Sequence, residues 1–283
     1  MSQVRVVTDS TADIPPEVRE ALNIELIPLK VHFGVETYKD SVDMGPEAFF
    51  EKLAASSSLP TTSQPSPVEF VEAYKRAGAS GASVISIHLS SRMSGTYQSA
   101  LLAKSMLEED GCDLSVVDSR TASYGIGMLV VCAAEAAREG RSKEEILEMI
   151  DTIRRQTKIY FLVDTLEYLQ KGGRIGKAAA LLGSLLNIKP ILSISEEGEV
   201  FPVDKVRGQK KAMGRIVDLL KADYGDKPLH VTVAHANNRL YAEELSALLK
   251  QHFVIESLGY ATIGPTIGTH AGPGAVAAFV RPA

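Results

Sequence analysis

Residues 88–100 read HLSSRMSGTYQSA, which sets Ser90, Ser91, Ser94 and Thr96 between a β-branched run, SVISI (83–87), and a helix-like stretch, YQSALLAKSML. Hydroxyls crowded into a strand-to-helix turn can supply a nucleophile, or they can grip an anion together with the N–H groups that open the helix. Ser94-Gly95-Thr96 suits grip, because Gly95 lets a ligand approach the backbone closely. RMSGT is not the G-x-S-x-G nucleophile elbow. A triad is a matter of geometry rather than order, so His270 with Asp118 or Asp164 could still complete one. Helix capping is the first expectation for any one of these hydroxyls taken alone.

Three more polar clusters follow or flank strands of the first half: TDSTAD (8–13), TTSQPSP (61–67) and VDSRTASYG (117–125). Ligands of open parallel sheets sit beyond the carboxyl ends of the strands. If the sheet is parallel, at least three of the four clusters share one face, and together they point to an anion site. The phosphate signatures fail. KGGRIGKAA (171–179) lacks the P-loop spacing and the Ser/Thr after Lys177, and GIG (125–127) lacks the third glycine of a dinucleotide loop. Six histidines (32, 88, 230, 235, 252, 270) form no H-x-x-x-H pair, and the spacing of Asp9, Asp13, Asp40 and Asp43 is not specific for a cation. We expect no metal and no cofactor.

The second half adds two segments. In LVDTLEYLQKGGRIGKA (162–178), Gly172 and Gly173 end a helix. Arg174 can then turn inward as a bidentate anion partner, or stay a surface arginine beside a helix end. GPTIGTHAGPGAVAAFV (264–280) holds Thr269 and His270 in a Gly/Pro loop. A further run, KVRGQKKAMGR (205–215), carries Lys205, Arg207, Lys210, Lys211 and Arg215 without an intervening acid. Such a helix is either a solvated face or a docking face for an acidic partner or a membrane surface.

The elements that must position these residues alternate. Strands at 4–7, 26–33, 83–87 and 114–118 interleave with helices, the last two at about 121–139 and 142–156, the latter opened by an S-x-x-E capping box at Ser142. Between them, SSSLPTTSQPSP (56–67) reads as a linker. The second half mixes a hairpin, PILSIS–EEGE–EVFPVD, with further strands and helices. The fold class is therefore α/β: an N-terminal, mostly parallel sheet flanked by helices (1–157) and a second α/β domain (158–283). The 283 residues are 45% hydrophobic and carry a net charge of −5, which argues against nucleic-acid binding. Two cysteines, Cys112 and Cys132, form no C-x-x-C, and no signal-like segment opens the chain. The longest apolar stretches, 125–134 and 178–188, are far short of the roughly 20 residues that span a bilayer. A cytoplasmic location is expected.

In their order, VTDSTAD, TSQPSP, SGTYQSA, VDS, LEYLQKGGRIGKA and GTHAGPGA resemble the DegV family across essentially the whole chain. The resemblance implies an N-terminal domain shared with dihydroxyacetone kinase and mannose-type phosphotransferase components, a second α/β domain, and a long-chain fatty acid between the two. It implies that Thr62 and Ser94 grip the carboxylate, that Arg174 and His270 extend the polar network, and that a dihydroxyacetone-kinase-like kinase phosphorylates the bound acid. Such a carrier needs an aliphatic tunnel and a polar clamp but no catalytic base. AAALLGSLLNIKPILSI (178–194) is the expected tunnel, with room at Ala178 to Ala180 and Gly183 and walls from Leu181, Leu182, Leu185 and Ile188. A Ser-type hydrolase and a small-anion binding module are the alternatives.

Overall fold

The computed structural model describes residues 4–79, 81–109, 111–183 and 188–283. The first half runs β1 (Val4–Asp9), α1 (Pro16–Ala21), β2 (Glu25–Ile27), β3 (Lys30–Phe33), β4 (Glu36–Lys39), α2 (Pro46–Ala55) and β5 (Thr61–Ser63). It continues with α3 (Pro67–Ala77), β6 (Ser83–His88), α4 (Thr96–Met106), β7 (Leu114–Asp118), α5 (Tyr124–Arg138) and α6 (Lys143–Gln156). The second half comprises β8 (Lys158–Leu162), α7 (Glu167–Lys171), β9 (Ile188–Ile194), β10 (Val200–Arg207) and α8 (Gln209–Tyr224). Then follow β11 (Leu229–His235), α9 (Arg239–His252), β12 (Ile255–Thr262), α10 (Pro265–Ala271) and β13 (Val276–Pro282).

A four-stranded parallel sheet, in the order β2-β1-β6-β7, forms the centre of the first half. Side chains alternate across a strand. Val6, Ile85 and Ile87 accordingly pack beneath α5 and α6, while Val7 and Val84 pack beneath α3 and α4. β6 is buried along its whole length, and its polar residues Ser86 and His88 are hydrogen-bonded within the core. The capping box at Ser142 is formed: Glu145 N–H donates to Ser142 Oγ (3.2 Å), and Ser142 N–H donates to Glu145 Oε2 (2.8 Å).

Two segments differ from the sequence reading. The run 26–33 is not one strand. It breaks at Pro28-Leu29, with β2 in the parallel sheet and β3 in a separate antiparallel sheet, β4-β3-β5. Residues 56–67 are more than a linker, because Thr61–Ser63 form β5, with Thr62 opposite Val31. Local composition hid this strand, since Ser, Thr and Pro read as turn formers until a partner strand supplies the ladder.

The six-stranded sheet of the second half is mixed, β10-β9-β8-β13-β11-β12. One face, with Leu162, Val231, Val233 and Ala278, is covered by α8 and α9 through Ile216, Leu220, Leu245 and Leu249. The other, with Ile159, Phe161, Ala277 and Phe279, faces Phe49, Phe50 and Met128 of the first half. Among the described residues, no helix is long and apolar enough to cross a membrane.

Buried carboxylates tie α10 to the first half. Gly264 N–H donates to Asp13 Oδ1 (2.9 Å) and Thr266 N–H to Asp40 Oδ2 (3.2 Å), so two open donors of the helix start are met by acids distant in sequence. Asp13 also accepts from Ser123 Oγ (2.5 Å), and Asp40 from Ser10 Oγ (3.1 Å) and Ser41 Oγ (3.0 Å). Burial pushes the Asp13 carboxyl well up, and Asp40 adds repulsion. Burial raises Asp40 to about 6 against these hydrogen bonds. A carboxyl raised in the folded state favours folding most when protonated, so its contribution falls as pH climbs from about 4 through 6. Relative to the parent, Asp40→Asn is therefore expected to gain roughly 2–3 kcal/mol between pH 4 and pH 7 in urea unfolding, whatever the offset at pH 4. A pH-independent difference would show that Asp40 is ionised in the folded protein throughout.

Candidate functional site

The opening hydroxyls divide their work. Ser90 Oγ donates to Gly198 O (2.8 Å) and fastens the loop after β6 to the β9–β10 turn. Ser91 Oγ donates to Asp118 Oδ2 (2.5 Å). Ser94 Oγ and Thr96 Oγ1 are 2.9 Å apart, and Thr96 is fully buried. Of these four residues only Ser94 lines a cavity. Gly95 has a packing reason, since a Cβ there would overlap the Gln64 amide. The Gln64 amide in turn donates to Ser99 Oγ (3.2 Å), which holds the β5 loop against α4. Gly95 and Thr96 thus shape the turn without lining the cavity.

That cavity lies between the halves. Its walls are apolar, with Leu29, Leu89, Met93, Ile159, Phe161, Leu169, Ile194, Val200, Ile263, Ile267 and Phe279 among them. Thr62, Ser94, Ser123, Arg174, Thr266 and His270 are its polar side chains. The space open to the centre of a water-sized sphere is about 100 Å3. A single water needs on the order of 10–15 Å3 on that measure, so this is a built cavity rather than a packing defect.

Four sequence-predicted residues, Thr62, Ser94, Arg174 and His270, line this one cavity although they come from four separate segments. Thr62 Oγ1 lies 2.9 Å from His270 Nε2. Burial, with the nearby Arg174 charge, pushes His270 down to about 4, so the ring is neutral at pH 7. Among the described residues its buried Nδ1 has no hydrogen-bond partner and packs where a Cβ on Gly172 would sit. A buried N–H without an acceptor is costly, so the proton belongs on Nε2, donating to Thr62 Oγ1. The Thr62 hydroxyl hydrogen is then available to an occupant of the cavity. Arg174 is half surface residue and half strut: Nε donates to Met93 O (2.9 Å) and Nη1 to Gly172 O (2.8 Å). It joins the loop bearing Ser94 to the glycine turn after α7.

A second, outer cleft of about 660 Å3 shares Thr62, Arg174 and His270 with the cavity, and its remaining lining mixes polar residues such as Ser57, Ser58, Thr61 and Lys171 with Leu59 and Pro60. The polar group is thus a partition between an apolar interior and an open polar surface.

Other expectations change. Among the described residues of 178–194, the expected tunnel, only Ile194 lines the cavity. Ala178 is buried beside it, Ala179, Ala180, Leu182 and Gly183 face solvent, Leu181 and Ile188 are half-buried, and Leu185 lies outside the described residues. The start of this stretch is a short 3-10 turn, Gly176–Leu181. The basic run is not one helix either. Lys205 and Arg207 end β10, Lys210, Lys211 and Arg215 lie in α8, and Arg215 is bound by Asp204 at 2.7 Å. For a Ser-His-Asp triad, His270 lacks a carboxylate at Nδ1 among the described residues, Asp118 is held by Ser91, and Asp164 pairs with Lys189 at 3.0 Å. Such a chain does occur elsewhere, as Ser86–His88–Asp9 (2.5 and 2.9 Å), but it is sealed in the core at 0% exposure. It fixes the loop instead, since Asp9 also accepts from Leu89 N–H (3.0 Å). Among the described residues no three of His, Cys, Asp and Glu converge on a metal site.

Imidazole nitrogen spectra recorded against pH should show His270 neutral down to a midpoint near 4 in the ligand-free protein. A midpoint near the ordinary histidine value of about 6.5 would refute the buried, neutral state.

Comparison with known proteins followed the same geometry. A family profile described as "Uncharacterised protein, DegV family" matches residues 3–283. A DegV domain-containing protein of Caldanaerobacter subterraneus is 40% identical over 283 residues, 99% of each chain. The structure of a DegV family protein from Thermus thermophilus, described by its fatty acid binding, superposes with a TM-score of 0.93 at 36% identity, covering 99% of this chain and 100% of that one. The structure of DegV from Bacillus subtilis, described as a fatty acid binding protein, gives 0.88 at 38% identity with all of both chains covered. Profile, relatives and fold agree across the chain, which belongs to the DegV family.

Proposed function

We propose that this protein is a non-enzymatic carrier that binds one long-chain fatty acid, with the carboxylate held by Thr62 and Ser94 and the chain buried between the halves. The observation that carries this reading is the partition. Thr62, Arg174 and His270 line both an apolar cavity and an open polar cleft, so an amphiphile placed there has its tail inside and its head at the surface. The fatty-acid binding of the Thermus and Bacillus relatives supports it.

The chemistry is consistent. A fatty carboxylate is ionised at neutral pH, like a carboxyl with an ordinary pKa of about 4.3. It accepts hydrogen bonds from the Thr62 and Ser94 hydroxyls, each contributing roughly 1.5–3 kcal/mol to a charged acceptor. Neutral His270 orients Thr62, and Arg174 adds positive charge at the mouth. Each methylene entering the cavity contributes about 0.8 kcal/mol, so the tail dominates the gross affinity and the clamp fixes direction. A head lodged at the surface is open to a second protein, and a dihydroxyacetone-kinase-like kinase that phosphorylates the carboxylate to an acyl phosphate fits that exposure. The exposed cations Lys205, Arg207, Lys210 and Lys211 offer that kinase, an acyltransferase or a membrane a docking face.

Denaturing mass spectrometry of the purified protein, or of protein incubated with palmitate, should release a fatty acid at one per chain. Thr62→Ala with Ser94→Ala should weaken palmitate binding at least about tenfold, the size of one lost charged hydrogen bond or more. Unchanged affinity in a folded double variant would overturn the clamp. With kinase and ATP, the loaded protein should yield a hydroxylamine-sensitive acyl phosphate, and no such product would remove the kinase from the reading.

A further inference from the structure

A third cleft, of about 500 Å3, opens where α5, α6, β8, β9 and β10 meet. It touches neither Thr62 nor Ser94, though Ile159 and Ile194 line both it and the acyl cavity. Its lining is unlike the rest of this acidic chain. Arg120, Arg154, Arg155 and Lys158 face it against one carboxylate, Glu196. Arg154 and Arg155 share a single acid behind them, Asp151, at 2.7 and 2.5 Å, and Lys158 stands 3.9 Å from Asp223. Arg120 makes no direct ion pair among the described residues, although its charge also acts on Asp151. The cleft therefore keeps a positive surplus.

A second observation is independent of charge. The Thr121 hydroxyl, on a residue only 6% exposed, lines the cleft and has no hydrogen-bond partner among the described residues. Buried hydroxyls are ordinarily paired. This one lies against Gly125 at the floor of the cleft that the three arginines also line.

We propose that this cleft is a second ligand site, taking a phosphate monoester with a small apolar group. Guanidinium forks match phosphate and carboxylate alike. Three forks and a hydroxyl nevertheless offer more donors than a carboxylate's two oxygens accept, and a monoester brings three terminal oxygens and up to two charges. Leu129, Phe201 and Val203 provide an apolar wall for the ester group.

Phenyl phosphate is the probe and benzoate its control, titrated by calorimetry into the full chain at about 0.15 M salt, where long-range attraction between exposed charges is screened. The expected result is saturable binding of one phenyl phosphate per chain, at least about tenfold tighter than benzoate. Arg120→Ala and Thr121→Val should each weaken it while leaving palmitate affinity unchanged. Binding absent at this salt, equal for benzoate, or insensitive to both variants overturns the site. Stoichiometric displacement of phenyl phosphate by palmitate overturns it too, by placing the probe in the acyl cavity.

Discussion

The cavity depends on the attachment of one short helix. α10 belongs in sequence to the second half, yet its opening N–H groups are bound by Asp13 and Asp40 of the first. Neither carboxylate is easily replaced by water at that depth, because both are at most 8% exposed. The same helix carries Thr266, Ile267, His270 and Ala271, all of which line the cavity. Held there, His270 meets Thr62, 208 positions away. Without the tie, the partition between cavity and outer cleft would have one side only.

The polar residues around the cavity are chiefly architectural. Asp9 and His88 set the start of the loop after β6, Ser90 pins it to the β9–β10 turn, and Arg174 clasps Met93 O just before Ser94. Each bond joins segments distant in the chain. Hydrogen bonds between buried polar groups fix a geometry more strictly than apolar packing does, and here they fix where a few unused donors point. A strong nucleophile would need an aligned base, and the neutral His270 serves as a donor to Thr62 instead.

Much of this was legible in the sequence. Alternating β and α segments specify the parallel sheet, since β-branched runs such as SVISI only make sense buried on both faces. The four polar positions were legible through the motifs around them. The cavity wall was not. Its residues are single positions, Leu29 and Leu89 in loops, Ile159 and Phe161 on one face of β8, Phe279 on β13, and no local periodicity gathers them. Residues 178–194 looked like a wall because small residues there leave room beside large apolar ones, but the 3-10 turn leaves Ala179 and Ala180 facing solvent and buries Ala178. β5 was hidden for the opposite reason, since its strand character comes from β3 and not from TTS itself.

Because the cavity's walls are divided between two halves of the chain, its contents occupy the place of shared core. On the proposed reading, a long tail that leaves breaks its apolar contacts with both sides at once, and these outweigh the hold of the hydroxyl clamp. The lifetime of such a filled state would then be governed by how often the seam parts. On that reading, a partner that pries the seam would set the rate of delivery, and one that only touches the head would not.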